Sequence, residues 1–401
     1  MNKVELPSGW KSVKSREIFG SISDRSHNGQ LQVLSATQDR GIVPRTEMDI
    51  DIKFGEKALP TYKKVVPGNF VIHLRSFQGG LAYSDVEGII SPAYTILKPK
   101  VEICDYYYKC LFQSVDYIKR LNSAVYGIRD GKQISYDTFG VIKIPLPPLS
   151  EQHAIAEILI TADKLIATKE HFIATKQKQK QWLMQNLLTG KIRLPGFNRE
   201  WKKVRLREIG YFSKGKGLSN DDKGSGNVPC LSYGEIYTTH NEYIKEFHSF
   251  ISKEVAQYSY QLKKGDLLFT CSGETKEEIG KCVAFIDDFE AYASGDIIII
   301  SPTKEINSTF MGFLLNSYYV VKQKASYGQG DSIVHISKDS IERIIIYLPP
   351  LPEQHAIANV LSTADREIEL LKKELEQQKQ IKKHLMQKLL TGKIRVKGAE
   401  V

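Results

Sequence analysis

From Ile357 onward, apolar side chains return at alternating intervals of four and three residues: Ile357, Leu361, Ala364, Ile368, Leu371 and Leu375. After a polar interruption Leu385 and Leu389 resume the series. This is heptad spacing, and it predicts a long helix with a narrow apolar stripe. An earlier block draws the same stripe with Ile155, Leu159, Ala162, Ile166 and Ile173, then Leu183 and Leu187. Each block opens after Leu-Pro-Pro-Leu, with Ser150 or Pro352 in the first turn, where a missing N–H costs nothing. Gly190 and Gly392 stop the helices. Roughly forty residues at about 1.5 Å each predict rods of ~60 Å. A stripe this narrow needs a partner, and the obvious one is the other block. Two helices of one chain, separated by a whole globular unit, pack most simply antiparallel.

The remaining sequence alternates on shorter periods. Strands are predicted around Val71-Ile72-His73-Leu74, Ala93 to Leu97, Leu267 to Thr270 and Ile297 to Ile300. One helix per unit is predicted near Asp105 to Arg120 and near Thr309 to Gln323. Tyr106, Tyr107, Tyr108, Tyr318 and Tyr319 lie on these helices and are expected in the core.

The two helical blocks are copies. Shifted by 202, the positions from 147 to 194 match those from 349 to 396 without a gap, 25 of 48 being identical. The match includes EQHAIA at Glu151 and Glu353, and LLTGKIR at Leu187 and Leu389. The preceding segments correspond weakly: WKSVKSREI at Trp10 with WKKVRLREI at Trp201, and PGNF at Pro67 with KGDL at Lys264. The expected fold is therefore α+β. Two globular α/β domains are separated by two long helices packed as an antiparallel coiled coil, with a pseudo-two-fold internal repeat. The segments run 1–146, 147–194, 195–348 and 349–401 as domain, helical spacer, domain and helical spacer.

Composition narrows the class. A chain of 401 residues with 41% hydrophobic and 25% charged residues is globular and too long for one core. There is no apolar run of eighteen residues and no signal-peptide pattern, and the densest stretch, Ile297 to Ile300, is far too short to span a bilayer. A cytoplasmic protein is expected. Cys104, Cys110, Cys230, Cys271 and Cys282 show neither a CxxC pair nor zinc spacing, so buried free thiols and no metal site are expected. The net charge is +10, and from Lys169 to Arg205 ten Lys/Arg face only Glu170 and Glu200. Such a run either lies solvated on a face or neutralises phosphates.

Catalytic signals are missing. No Asn-Pro-Pro-aromatic motif, GxxxxGK[ST] loop or HExxH occurs. KGKG at Lys214 to Gly217 lacks strand–loop–helix context and reads as a flexible basic loop. Asp266 with Glu274 and Lys276 matches a metal-nuclease pattern only superficially. The EQH triplets, Glu151-Gln152-His153 and Glu353-Gln354-His355, recur where one surface is needed twice, which suits a structural or subunit-docking role. A self-contained tandem-lobed DNA methyltransferase or nuclease is the rival reading, and a coiled-coil interaction protein that never touches DNA is the third.

With its LPPLxEQxxI blocks, its repeated helices ending in LLTGKIR and a variable unit before each, the chain resembles the DNA-specificity subunit of type I restriction-modification systems over essentially its whole length. The resemblance implies a non-catalytic subunit with two target-recognition domains, each reading half of a bipartite double-stranded DNA site. It implies helices that act as a spacer and dock two adenine methyltransferase subunits, joined by restriction motor subunits. It also implies that this chain binds no cofactor itself, with S-adenosylmethionine, ATP and Mg on the partners.

Base-reading residues are then sought as long polar side chains in loops at matching places. One pair of loops precedes each Leu-Pro-Pro: Gly127, Arg129, Lys132 and Gln133 in the first unit, Gly328, Gln329, Ser332 and His335 in the second. The glycines there would permit tight turns. A second pair holds Arg75, Ser76 and Gln78 opposite Ser272, Thr275 and Lys281. Thr37, Gln38, Arg40 and Arg45 form a further candidate loop, and Lys214 and Lys216 are candidate DNA contacts. Arg suits guanine, Gln suits adenine and Lys grips phosphate; the alternative for each is an ordinary polar turn.

Overall fold

The computed structural model describes residues 6–37, 40–48, 56–73, 81–125, 134–330 and 332–396. They form two compact units, the first comprising residues 1–170 and 373–401 and the second residues 171–372. Each long helix, Leu149–Leu187 and Leu351–Leu389, is 39 residues long and is divided between the two units.

In the first unit, Lys11–Lys14 pairs antiparallel with Lys143–Leu146, which brings the start of the chain beside the run into the first long helix. A four-stranded antiparallel sheet follows in the order Phe19–Ile22, Thr95–Pro99, Phe70–Ile72, Leu81–Tyr83. The turn before Phe70 needs Gly68, whose φ is +91°, and Asn69 closes it by accepting the Val66 N–H at 3.1 Å. Helices Asp105–Gln113 and Val115–Val125 bring an aromatic cluster to this sheet. Phe19 is fully buried, with the rings of Phe70, Tyr108 and Phe112 centred 5.4, 5.3 and 5.3 Å from its own.

The second unit repeats this plan. Lys202–Arg205 pairs with Ile345–Leu348, and the four-stranded sheet runs Gly210–Lys214, Ile297–Pro302, Leu267–Thr270, Cys282–Ala284. Gly265, at φ +98°, and Asp266, accepting the Lys263 N–H at 2.9 Å, rebuild the Gly68-Asn69 turn. A second sheet has no four-stranded counterpart among the described residues of the first unit: Ser249–Ile251, Val228–Leu231, Tyr292–Ala293, Tyr260–Gln261. The units thus share a scaffold and diverge around it.

Within each unit the two long helices run antiparallel. In the first, Asp163 meets Lys382 and Lys169 meets Glu374 at 2.6 Å, so one numbering rises as the other falls, and Glu170 reaches Lys379 at 3.0 Å. In the second, Lys176 meets Glu367 and Lys180 meets Asp365, both at 2.6 Å. Ile173, Ile368 and Leu375 are buried along the stripe. The ends of the stripe do something the pattern did not convey. Ile155, Ala156, Leu159, Leu389 and Leu390 belong to the core of the first unit, and Leu187, Leu188, Ile357, Ala358 and Leu361 to that of the second. Each helix end is therefore packed into a globular core as well as lying beside the other helix. Gly190 at φ +68° and Gly392 at φ +70° stop both helices as expected.

Several expectations change. Each single predicted helix is two: the first breaks at Ser114, whose ψ is 144°, and the second at Ser317, whose ψ is 151°. Both serines sit buried at the junction, and Ser114 Oγ accepts the Tyr117 N–H at 3.3 Å. Tyr107 and Tyr108 are buried as expected, whereas Tyr318 is 69% and Tyr319 47% exposed. The break at Ser317 starts a new helix and turns those two rings outward. KGKG begins at the end of strand Gly210–Lys214 and packs closely: a Cβ on Gly215 would lie 1.9 Å from the Ser294 carbonyl, and one on Gly217 2.2 Å from that of Tyr258. All five cysteines are free, and four are buried. No helix among the described residues is long and apolar enough to cross a membrane.

Candidate nucleic-acid interface

In the second unit the fold joins two loops that are distant in sequence. Strand Leu267–Thr270 runs on through Cys271 into Ser272–Gly273, which pairs antiparallel with Val334–His335. Ser272 Oγ and His335 Nδ1 are 2.9 Å apart. Gln329 and His335 exchange two backbone bonds, at 3.0 and 2.8 Å, closing a hairpin. Gly330, at φ +107°, makes its turn. Gly328 does not, because its φ is −64°; it is needed since a Cβ there would stand 2.8 Å from Val334 Cγ1. Gln329, Ser332 and His335 are exposed on this patch, Ser272 is half-buried and Thr275 is exposed. Hydroxyl, amide and imidazole groups held here can hydrogen-bond to base edges.

One lysine lies at the end of the sheet from which this loop springs. Lys214, paired with Ile298, lies on one side of strand Ile297–Pro302 and Thr270, paired with Ile297, on the other. Burial pushes the Cys271 thiol up to about 11, and the Lys214 charge opposes that rise. Lys214 and Lys216 are both exposed, and the close-packed Gly215 between them fixes their backbone. Lys281 is a correction. Its ammonium is turned inward, donating to the carbonyls of His240 at 2.6 Å and Tyr237 at 3.2 Å, and burial lowers its pKa. It braces the loop through these two bonds.

In the first unit, Thr37 and Arg40 lie at the tip of the hairpin Leu34–Thr37/Gly41–Pro44. Thr37 Oγ1 donates to Gly41 O at 2.8 Å and accepts the Arg40 N–H at 3.0 Å, which shapes the turn and leaves the Arg40 side chain exposed. Arg45, half-buried, donates from Nε to Ser35 Oγ at 3.2 Å. Gln38, Arg75, Ser76, Gln78, Gly127, Arg129, Lys132 and Gln133 lie outside the described residues.

The EQH triplets turn inward, which corrects any direct docking role for four of their six residues. Glu151 is 1% and Glu353 0% exposed. Glu151 accepts from Trp10 Nε1 at 2.8 Å and from Arg395 Nη2 at 2.9 Å. Glu353 accepts from Trp201 Nε1 at 3.3 Å and from Arg193 Nη2 at 2.7 Å. Gln152 takes the Cys104 N–H and gives to the Pro147 carbonyl, and Gln354 treats Asn307 and Pro349 alike. A carboxylate saturated inside its own chain offers nothing to another subunit. His153 and His355 alone are exposed, His355 Nδ1 lying 2.8 Å from Asn307 Nδ2. Trp10, Trp201, Arg193 and Arg395 were visible as repeat identities but carried no role from sequence.

The helix ion pairs repeat as well. Asp163 and Asp365 occupy one repeat position, Lys180 and Lys382 another, and each pairing crosses from one copy to the other. Tyr106 adds a bond to Asp163, while Glu242 adds one to Lys180 at 2.8 Å. Each domain thereby reaches the repeated ion pair, but through opposite members: the first through its aspartate, the second through its lysine. No group of His, Cys, Asp and Glu able to hold a metal occurs among the described residues.

Comparison with known proteins agrees with this repeat. A family model described as a type I restriction modification DNA specificity domain matches residues 7–175 and again 198–380. The type I restriction enzyme MjaVIII specificity subunit of Methanocaldococcus jannaschii is 31% identical over 334 residues, covering 78% of this chain and 76% of that one. Among solved structures, one described as the structural basis of complex assembly and conformational transition of the type I R-M system has a TM-score of 0.61 at 16% identity. It covers 97% of this chain and 100% of that one. The type I restriction-modification S subunit of M. genitalium has a TM-score of 0.56 at 15% identity, covering 97% of each chain. At such identities the structures show a common fold.

Proposed function

Because this chain belongs to the type I restriction-modification DNA specificity family, we propose that it is the non-catalytic recognition subunit of such an enzyme, acting in the cytoplasm. Residues 1–146 and 195–348 are its target-recognition domains, each reading one half of a bipartite double-stranded DNA site. Residues 147–194 and 349–401 are the helical spacer and the platform for two adenine methyltransferase subunits, through which restriction motor subunits join. S-adenosylmethionine, ATP and Mg act on those partners.

The observation that carries this reading is the contrast between what repeats and what differs. The Trp-Glu-Arg anchor, the buried Gln and the helix ion pair recur in both units. The segments around the four-stranded sheets do not. A duplex site methylated on both strands needs the same enzyme docked twice, so its platforms must be alike. Two unlike half-sites need unlike readers. The basic excess supplies sequence-independent attraction to phosphate, while the polar patch at Ser272 and His335 supplies base contacts.

Selection from a random-sequence duplex pool, using the purified chain with a methyltransferase partner, tests this. Recovery of a two-part motif separated by unconstrained bases, with binding that weakens as salt rises, is expected. A contiguous single motif, or salt-insensitive binding without sequence preference, would contradict it.

A further inference from the structure

Behind the strand pair Ser272–Gly273/Val334–His335 lies a cavity of about 990 Å³, lined among others by Tyr233, Tyr237, Ser272, Lys281, Lys324 and Ser332. One side chain in that wall makes more bonds to the polar patch than any function so far assigned requires. The short helix Tyr233–Thr238 is started by Ser232, whose N–H and hydroxyl both donate to Glu235 Oε2 at 2.9 Å. Its fifth residue, Tyr237, puts its hydroxyl 2.7 Å from Thr270 Oγ1, 2.9 Å from the Ser272 carbonyl and 3.3 Å from the Glu278 carbonyl. The Tyr237 carbonyl meanwhile accepts from Lys281. Burial pushes the phenol up to about 12, so it remains a donor across the physiological range.

These bonds reach both ends of the segment from Thr270 to Lys281, and the segment between them presents Ser272 and Thr275. Space is tight as well: a Cβ on Gly273 would lie 2.8 Å from the Tyr237 hydroxyl oxygen. We propose that Tyr237 is a positioning residue for base recognition in the second unit, its hydroxyl holding the Ser272–Glu278 loop in register with the His335 strand. The proposal rests on the DNA-reading function above. Tyr237 contacts no base; it decides where the reading groups stand.

Tyr237→Phe keeps the ring and removes the hydroxyl. Amide hydrogen exchange of Ser272–Glu278 is followed on the full chain with its methyltransferase partner, and adenine methylation is mapped in cells carrying the same variant. Exchange across that segment should quicken about tenfold. Base discrimination should fall on the order of tenfold within one half-site and stay intact in the other. Unaltered exchange overturns the proposal, and so does faster exchange with an unchanged motif. Gly273→Ala should broaden the same half-site by pushing against the hydroxyl, and should add little once Tyr237→Phe has removed it. Full additivity of the two changes would also count against it. Failure of the DNA-reading function looks different: methylation would not depend on the wild-type chain, while the exchange measurement would still decide whether Tyr237 holds the loop.

Discussion

Arg193 and Glu353, 160 residues apart, form a two-bonded ion pair on a carboxylate that is 0% exposed. Arg395 and Glu151, 244 residues apart, form the same pair in the other unit. In both, a tryptophan N–H completes the set. The tail of each helical block is thereby tied to the head of the other.

Removing either glutamate leaves an indole N–H and a guanidinium without their buried acceptor. Glu353→Ala and Glu151→Ala should each destabilise its own unit, chiefly by leaving the tryptophan N–H without its acceptor, since the arginines are part-exposed and keep backbone acceptors at Arg199 and Ser8. Urea unfolding followed by a probe in each unit checks this. Equal losses in both units from one substitution would show that the anchors are not local.

Lys180 carries a second test, with a pH signature. Burial disfavours its ammonium, but Glu242 and Asp365 outweigh burial and hold its pKa above the usual lysine value. Lys180→Met leaves two carboxylates facing each other in a partly buried site. Burial already raises the Glu242 pKa, so its folded form binds protons more readily than its unfolded form. A group of that kind gains folded stability as pH falls, once it protonates. The variant's unfolding midpoint should therefore lie well below wild type at pH 8, with the deficit shrinking towards pH 5.

Much of this was legible in the sequence because the chain says it twice. Helix ends at Gly190 and Gly392 and the shared scaffold followed from repeat identities, and the antiparallel pairing from two narrow stripes separated by a whole globular unit. Lys180 had a signal too: between positions 167 and 182 it is the one residue identical to its copy, Lys382. The Ser272–His335 contact had none, since 63 residues separate them and a two-residue strand pair leaves no periodicity. Lys281 read as a surface cation because sequence shows the charge of a side chain and not the direction of its tip. Tyr318 and Tyr319 were misplaced because hydrophobic character alone cannot reveal the helix break at Ser317.

His335→Ala and Ser272→Ala bear on the reading patch directly. Each should cost ~1–3 kcal/mol of discrimination at one or two positions of a single half-site, leaving the other half-site unchanged. Competition binding with single-base substitutions measures it. A uniform loss across all sequences would reassign both residues to general support.

Lys214 and Lys216 should behave in the opposite manner. Replacing either with Gln should reduce the slope of log affinity against log salt by about one and leave the motif as it was. A salt titration of binding to one fixed duplex provides the number. An altered motif would instead make the affected lysine a base contact.

The most direct measurement maps adenine methylation in the DNA of cells that carry a cognate methyltransferase subunit, with and without this chain. A two-part motif interrupted by unread bases, present only when the chain is expressed, is the predicted result. Methylation that persists without the chain, or a motif with no gap, would contradict the claim that one polypeptide carries two unlike readers on a repeated frame.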